Sequence, residues 1–274
     1  MTSVPLLTCL LLLAWWASAR AEQVLAHCKS PYNELLVIQD GYERILKVRQ
    51  GKAFVEQSRC DQRRPAALRH QYSRLQMLGT LYPEQFRRVL VLGLGGASLS
   101  KALQLAYPEV EQDCIELDPE IARLARKYFG YREGPRCRTH VGDGRQFLED
   151  NAQTWDLIVL DAFDGLEIPQ PLRTREFYQL VQSRLAPGGV VVSNLHRRSH
   201  SYARDRATLA CVYPQQLAFE GTGLVIVLSS QSPVQAHPER WSSMLGFDFT
   251  PLQQLQERDA QDFSQAQPFE DGKP

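Results

Sequence analysis

Two carboxylates, Asp161 and Asp164, bracket Ala162-Phe163 directly after the apolar run Leu157-Ile158-Val159-Leu160. An acid at the end of a buried strand can hold a substrate amine and accept its proton, turning an unreactive ammonium into a nucleophile. Two acids on a solvated loop would look the same in isolation, so the weight falls on what precedes them. Gly93-Leu94-Gly95-Gly96 follows a second apolar run, Val89 to Leu92, and opens a helical stretch. Glycines there let a ligand approach the backbone and meet the helix amino terminus. Ser98 stands where a dinucleotide fingerprint would carry Gly or Ala, which disfavours a nicotinamide oxidoreductase. Glu116 and Asp118 come about 20 residues after the loop, where a carboxylate can accept both hydroxyls of a ribose. Asp118 precedes Pro119 and reads as a helix cap, which leaves Glu116 for the ribose. Asp143, in Val141-Gly142-Asp143-Gly144-Arg145, can accept from an exocyclic amine such as that of adenine, or can simply shape a turn. Glycine loop, acid and acid in this order point to a nucleoside ligand.

These residues need strands whose carboxyl ends converge. Four apolar runs, at residues 89–92, 114–117, 139–141 and 157–160, each end in glycine or an acid and alternate with helical stretches. A fifth, Val190-Val191-Val192, follows the turn Pro187-Gly188-Gly189. That alternation specifies an α/β, Rossmann-like parallel sheet covered on both faces, and ligands of such sheets sit beyond the carboxyl ends of the strands. The run from Gly223 to Leu228 adds a further strand, one that can pair antiparallel. Ahead of this unit, residues 34–39 and 42–48 are β-rich and flank Asp40-Gly41, a hairpin dipeptide, so a small β-unit opens the chain. Between residues 65 and 81, Leu68, Tyr72, Leu75, Met77 and Leu78 recur near helical spacing and predict a linking helix. The resulting division is 1–21, 22–82 for the β-unit and linking helix, 83–232 for the nucleoside-binding domain, and 233–274 for a polar tail expected to be loosely ordered.

The 31 Lys and Arg residues balance 31 Asp and Glu, and no basic stripe is present, which argues against nucleic acid as a partner. Residues 6–19 are apolar apart from Thr8 and Ser18, and Ala19-Arg20-Ala21 has the form of a cleavage site. The run is short of the roughly 20 residues a bilayer span needs, so a secretory signal peptide over residues 1–21 and an exported, periplasmic or secreted protein are expected. The absence of Lys and Arg from residues 1–5 keeps an uncleaved membrane anchor as the alternative. Export would leave Cys28, Cys60, Cys114, Cys137 and Cys211 where disulfides persist. Cys28 and Cys60 both precede the main domain and are the pair open to bridging, while the other three fall in apolar segments and are expected as buried thiols. No CxxC or Cys/His spacing supports a metal site.

Several segments together resemble the spermidine synthase (polyamine aminopropyltransferase) family: Leu160-Asp161-Ala162-Phe163-Asp164-Gly165, Leu172 to Tyr178, Ile115-Glu116-Leu117-Asp118, Val141 to Arg145, and Phe54-Val55-Glu56-Gln57-Ser58. The similarity runs over about residues 35–230. It implies a methyltransferase-like Rossmann fold with a small amino-terminal β-domain and transfer of the aminopropyl group of decarboxylated S-adenosylmethionine to a polyamine or other amine. It further implies no metal, no prosthetic group and a homodimer. Residue by residue, it implies that Glu116 holds the ribose and Asp143, beside Gly144, the adenine, over the Gly93 and Gly95 loop. Asp161 matches the acid that receives the amine's proton, Asp164 helps fix the amine, and Gln57 and Tyr72 line the meeting point of the two substrates.

The departures bear on the substrate. The family's glycine loop carries an Asp where this chain has Gly96, so the charge that would repel the carboxylate of intact S-adenosylmethionine is missing. After the fifth run the chain reads Asn194-Leu195-His196-Arg197-Arg198, placing two guanidiniums where a polycation would be repelled. Phe219 stands where a tyrosine is expected. Two alternatives follow: an S-adenosylmethionine-dependent methyltransferase on the same fold, and an exported binding protein without catalysis.

Overall fold

The computed structural model describes residues 22–163, 167–256, 263 and 265–273. The amino-terminal unit is a four-stranded antiparallel sheet, β1 (Gln23–Lys29), β2 (Glu34–Asp40), β3 (Glu43–Gln50) and β4 (Ala53–Asp61), in that order. Its alternation is legible: Leu35 faces Val48 and Val37 faces Leu46 across β2 and β3, and all four are buried. They pack with Cys60 onto Ile121, Leu124 and Phe129 of the larger domain. The β2–β3 turn is Gly41-Tyr42, one residue later than Asp40-Gly41, because Asp40 still pairs with Glu43. Gly41 takes φ +57° at the first central position and Tyr42 avoids a positive φ, which is the arrangement a turn led by glycine requires.

The linking helix is shorter than its periodicity suggests. Residues 65–66 form a turn, with the Ala67 N–H on the Arg64 carbonyl, and Leu68 bridges back to Cys60, so α1 covers only Gln71–Met77 and tightens into a 3₁₀ turn over Leu78–Leu81.

The larger sheet contains β5 (Arg88–Leu92), β6 (Glu111–Glu116), β7 (Cys137–Val141), β8 (Trp155–Leu160), β9 (Leu185–His196), β10 (Gln215–Glu220) and β11 (Leu224–Ser230). Their order is β10-β11-β9-β8-β5-β6-β7, with β5 to β9 parallel and β11 and β10 antiparallel. Helices α2 (Ser98–Ala106), α3 (Pro119–Tyr128), α4 (Gly144–Asp150), α5 (Arg175–Ser183) and α6 (Tyr202–Val212) complete the units. Because side chains alternate, Val89 and Val91 pack under α1 and α2, while Leu90 and Leu92 share the opposite core with Phe177, Tyr178 and Leu209 of α5 and α6. Pro187 to Gly189 do not precede the fifth strand. They form a bulge inside β9, where the register against β8 jumps from Leu185 to Val190. The strand order reverses at β5, which lies between β6 and β8, so the crevice for a ligand opens at its carboxyl end.

Three expectations fail. Cys28 and Cys60 are free thiols: they sit on β1 and β4, opposite edges of the sheet, three strand spacings of about 4.7 Å apart and offset along the strands as well, since Cys28 is in line with Val55, far beyond the roughly 4.4–6.8 Å Cα separation a disulfide tolerates. Cys114 and Cys137 are buried as expected, but Cys211 is exposed. The tail is not loose over its described residues. Leu245 and Phe269 are buried, and Trp241, Phe247, Phe249 and Leu252, the last on the short helix α7 (Thr250–Gln253), pack on the core. Average polarity hides a few well-spaced apolar anchors. Among the described residues no helix is long and apolar enough to cross a membrane.

Candidate active site

A cavity of about 460 Å³ opens where β5, β6, β7 and β8 end and the small sheet leans over them. Gln57, Tyr72, Gly93, Gly95, Glu116, Asp143, Gly144 and Asp161 all line it. Asp164 lies outside the described residues.

The glycine loop fits its floor closely. At Gly93, φ is +99° and a Cβ would come within 2.3 Å of the Asp161 carbonyl oxygen, while the Asp161 N–H donates to the Leu92 carbonyl at 2.9 Å. Only glycine lets β5 and β8 run so close together here. Glu116 braces the same loop: its Oε2 accepts from the N–H groups of Leu94 (2.9 Å) and Gly95 (3.2 Å), and its Oε1 accepts from that of Asp118 (3.0 Å). Burial pushes its pKa up and the three N–H donors partly offset that. Two donors already occupy Oε2, while Oε1 keeps a second acceptor site, so Glu116 can brace the loop and accept a ribose hydroxyl at once.

Asp118 caps α3, accepting from the Glu120 N–H at 2.9 Å. Asp143 caps α4 through the Gln146 N–H at 2.9 Å, so it shapes a turn and faces the cavity at once. Asp161, at the end of β8, accepts from Asn194 Nδ2 at 2.9 Å. Enclosure raises its pKa, offset in part by the Asn194 amide. The phenol of Tyr72 is pushed well above its ordinary value by burial and by the Asp161 charge, so it stays a neutral hydrogen-bonding group.

Sequence reasoning missed the amides around Asp161. Asn194 is 3% exposed and its Oδ1 has no hydrogen-bond partner in the protein; Gln76 is 1% exposed and neither of its amide atoms completes a bond. Buried polar atoms are rarely left so, and Asn194, like Asp161, lines the cavity. Asn194 was findable, since it ends the apolar run of β9 as Asp161 ends that of β8. Gln76 sits at a core position of α1 and carries no such signal. His70 was missed too: it stacks on Tyr72 at 5.4 Å between centroids, lies 3.5 Å from Glu56 and is held toward neutrality by burial.

A buried acid held by one amide and set among unpartnered amide atoms, with a ribose-type acid and a glycine loop alongside, suits a nucleoside donor meeting an amine. The family model described as "Spermine/spermidine synthase domain" matches residues 70–220. The chain belongs to the spermine/spermidine synthase family. A polyamine aminopropyltransferase of Vibrio vulnificus is 32% identical over 231 residues, covering 79% of this chain and 77% of that relative. A crystal structure of a probable spermidine synthase from Corynebacterium glutamicum has the same fold, with a TM-score of 0.71 at 22% identity over 92% of this chain and 98% of that one. Human methyltransferase-like protein 13 in complex with SAH aligns over 65% of this chain and 90% of its own, with a TM-score of 0.54 and 26% identity.

Within the spermine/spermidine synthase family this chain's departures now have a geometry. A Cβ on Gly96 would meet the Ser58 Cβ at 2.7 Å and the Phe129 ring at 3.1 Å, so an Asp does not fit beneath the small sheet. The Gly96 N–H instead donates to Ser58 Oγ at 2.9 Å. The expected repulsion from two arginines is not found at the cavity: Arg197 is ion-paired with Glu220, and of the segment 196–198 only His196 is in the wall. His196 meets Phe163 edge-on at 4.9 Å and is held toward neutrality by burial. Phe219 is fully buried in the core.

Proposed function

We propose that the protein transfers the aminopropyl group of decarboxylated S-adenosylmethionine to an amine nitrogen of a polyamine. The observation that carries this is Asp161, an enclosed carboxylate with a raised pKa at the point where the cavity is lined by both the nucleoside-binding acids and Tyr72 and Gln57. The amine lone pair forms a bond to the carbon beside the sulfonium, the carbon–sulfur pair returns to sulfur and neutralises it, and the ammonium proton passes to Asp161. The sulfonium is a good leaving group already, so one base and tight positioning supply most of the acceleration. Glu116 would accept a ribose hydroxyl and Asp143 the adenine amine, while Asn194 holds Asp161 and Tyr72 lines the path of the amine. Purified protein given the decarboxylated donor and a diamine should form the longer polyamine and methylthioadenosine. Asp161→Asn should lower kcat by about 10²- to 10⁴-fold while methylthioadenosine still binds; loss of both would contradict the assignment.

Gly96 and the likeness to an SAH-bound methyltransferase favour one second reading, methyl transfer from intact S-adenosylmethionine. A methylated amine as sole product would establish it over the first. The export expected from residues 6–21 and a homodimer belong to the same proposal; amino-terminal sequencing of protein from the exported fraction and light scattering test them, with a mature start at Glu22 and a two-chain mass as the expected results.

A further inference from the structure

The carboxy-terminal residues 267–273 are packed, far along the chain, on the segment that walls the nucleoside end of the cavity. The Phe269 ring is buried under the guanidiniums of Arg173 (4.4 Å) and Arg204 (3.8 Å). Its N–H donates to Thr208 Oγ1 at 2.9 Å and its carbonyl accepts from the Arg175 N–H at 2.8 Å. Two residues on, the Asp271 carboxylate accepts from Thr174 Oγ1 at 2.7 Å and from Arg145 Nη1 at 2.9 Å, and the Asp271 N–H donates to Glu176 Oε2 at 2.9 Å.

Arg145 is what gives this anchoring a consequence. It directly follows Asp143 and Gly144, both in the cavity wall, and its Nη1 also donates to the carbonyl of Pro171, which with Pro169 and Leu172 forms the facing wall. Arg173, next in the chain, is buried and held by both oxygens of Asp205 (2.8 and 2.6 Å) and by Glu167 (3.0 Å). One guanidinium therefore ties the adenine-side turn to the 169–172 wall, and the tail's carboxylate fixes that guanidinium.

We propose that residues 267–273 act as a latch on the donor site, with Asp271 a positioning residue that sets donor affinity through Arg145. The inference rests on the cavity being the nucleoside site. Because Asp271 lines no part of the cavity, its effect passes through Arg145 and falls on the donor rather than the amine.

The test uses the full chain and methylthioadenosine as the probe. Calorimetric titration of Asp271→Ala should show roughly tenfold weaker binding, within the usual range of coupling between linked sites; the donor KM should rise alike, the amine KM stay within about twofold, and Asp271→Glu should restore affinity. Unchanged affinity in folded Asp271→Ala, an equal rise in both KM values, or a lower melting temperature alone would overturn the latch. Should Asp271→Ala not fold, Asp271→Asn, which keeps the shape and drops the charge, is read by the same criterion. Wild-type protein that binds no methylthioadenosine would overturn the site reading instead, so the two failures are distinguishable.

Discussion

Asp161 combines two demands that pull against each other. Its pKa is raised above the ordinary aspartate value by enclosure, so the folded state holds its proton to a higher pH than the unfolded chain does. Stability therefore falls as pH rises from the ordinary value through the raised one, and above both the buried charge is a standing cost. Asp161→Asn should accordingly melt higher than wild type at neutral pH while losing transfer, and should flatten that part of the stability profile. A lower melting temperature for the variant would contradict this sign. As a base, Asp161 must be ionised, so kcat/KM should fall on the acid side through its raised pKa; Asn194→Leu removes a bond that lowers that pKa, and the limb should move further up. The acids were legible in sequence because each ends an apolar run. Asn194 offers the same signal at the end of β9, whereas Gln76 offers none, since burial without a partner is a property of packing.

At the scale of elements, the glycine loop separates conformation from space. Gly93 needs both, with its positive φ and the Asp161 carbonyl against it. Gly93→Ala should cost on the order of 1–3 kcal/mol from the backbone conformation alone, measurable by denaturant melts, and should displace the catalytic acid as well. Gly96 has no positive φ among the glycines that do, and only Ser58 and Phe129 exclude a side chain. Gly96→Asp alone should weaken methylthioadenosine binding by lifting the small sheet. Paired with Ser58→Gly it should bind again and prefer the decarboxylated over the intact donor, because a carboxylate near the site repels the donor's own. Equal donor preference in the double variant would mean that position 96 does not face that end of the donor. The strand and helix alternation of the larger domain was readable from apolar runs. Strands β1, β4 and β10 were not, since their burial patterns are mostly half-exposed and mixed.

Across the whole molecule, the cavity exists only because the small sheet and the larger domain converge, and sequence patterns that act over a dozen residues do not encode such meetings. The small sheet is clasped at one point beside the ribose acid: Ser30 Oγ and Asn33 Nδ2 both donate to Asp118 Oδ2, at 2.6 and 2.9 Å. Asp118 is 1% exposed, so removing both donors leaves a buried carboxylate oxygen unpaired. Hydrogen bonds to charged groups are worth about 1.5–3 kcal/mol each, and a domain of this size moves by about 2–4 °C in melting temperature per kcal/mol. Asn33 is also in the cavity wall and Asp118 is two residues from Glu116. Ser30→Ala with Asn33→Ala should therefore lower the melting temperature by several degrees and raise the donor KM together, whereas Ser30→Ala alone, which leaves the Asn33 bond, should show a fraction of each. A double variant with unaltered donor KM would show that the clasp holds the units together without shaping the site between them.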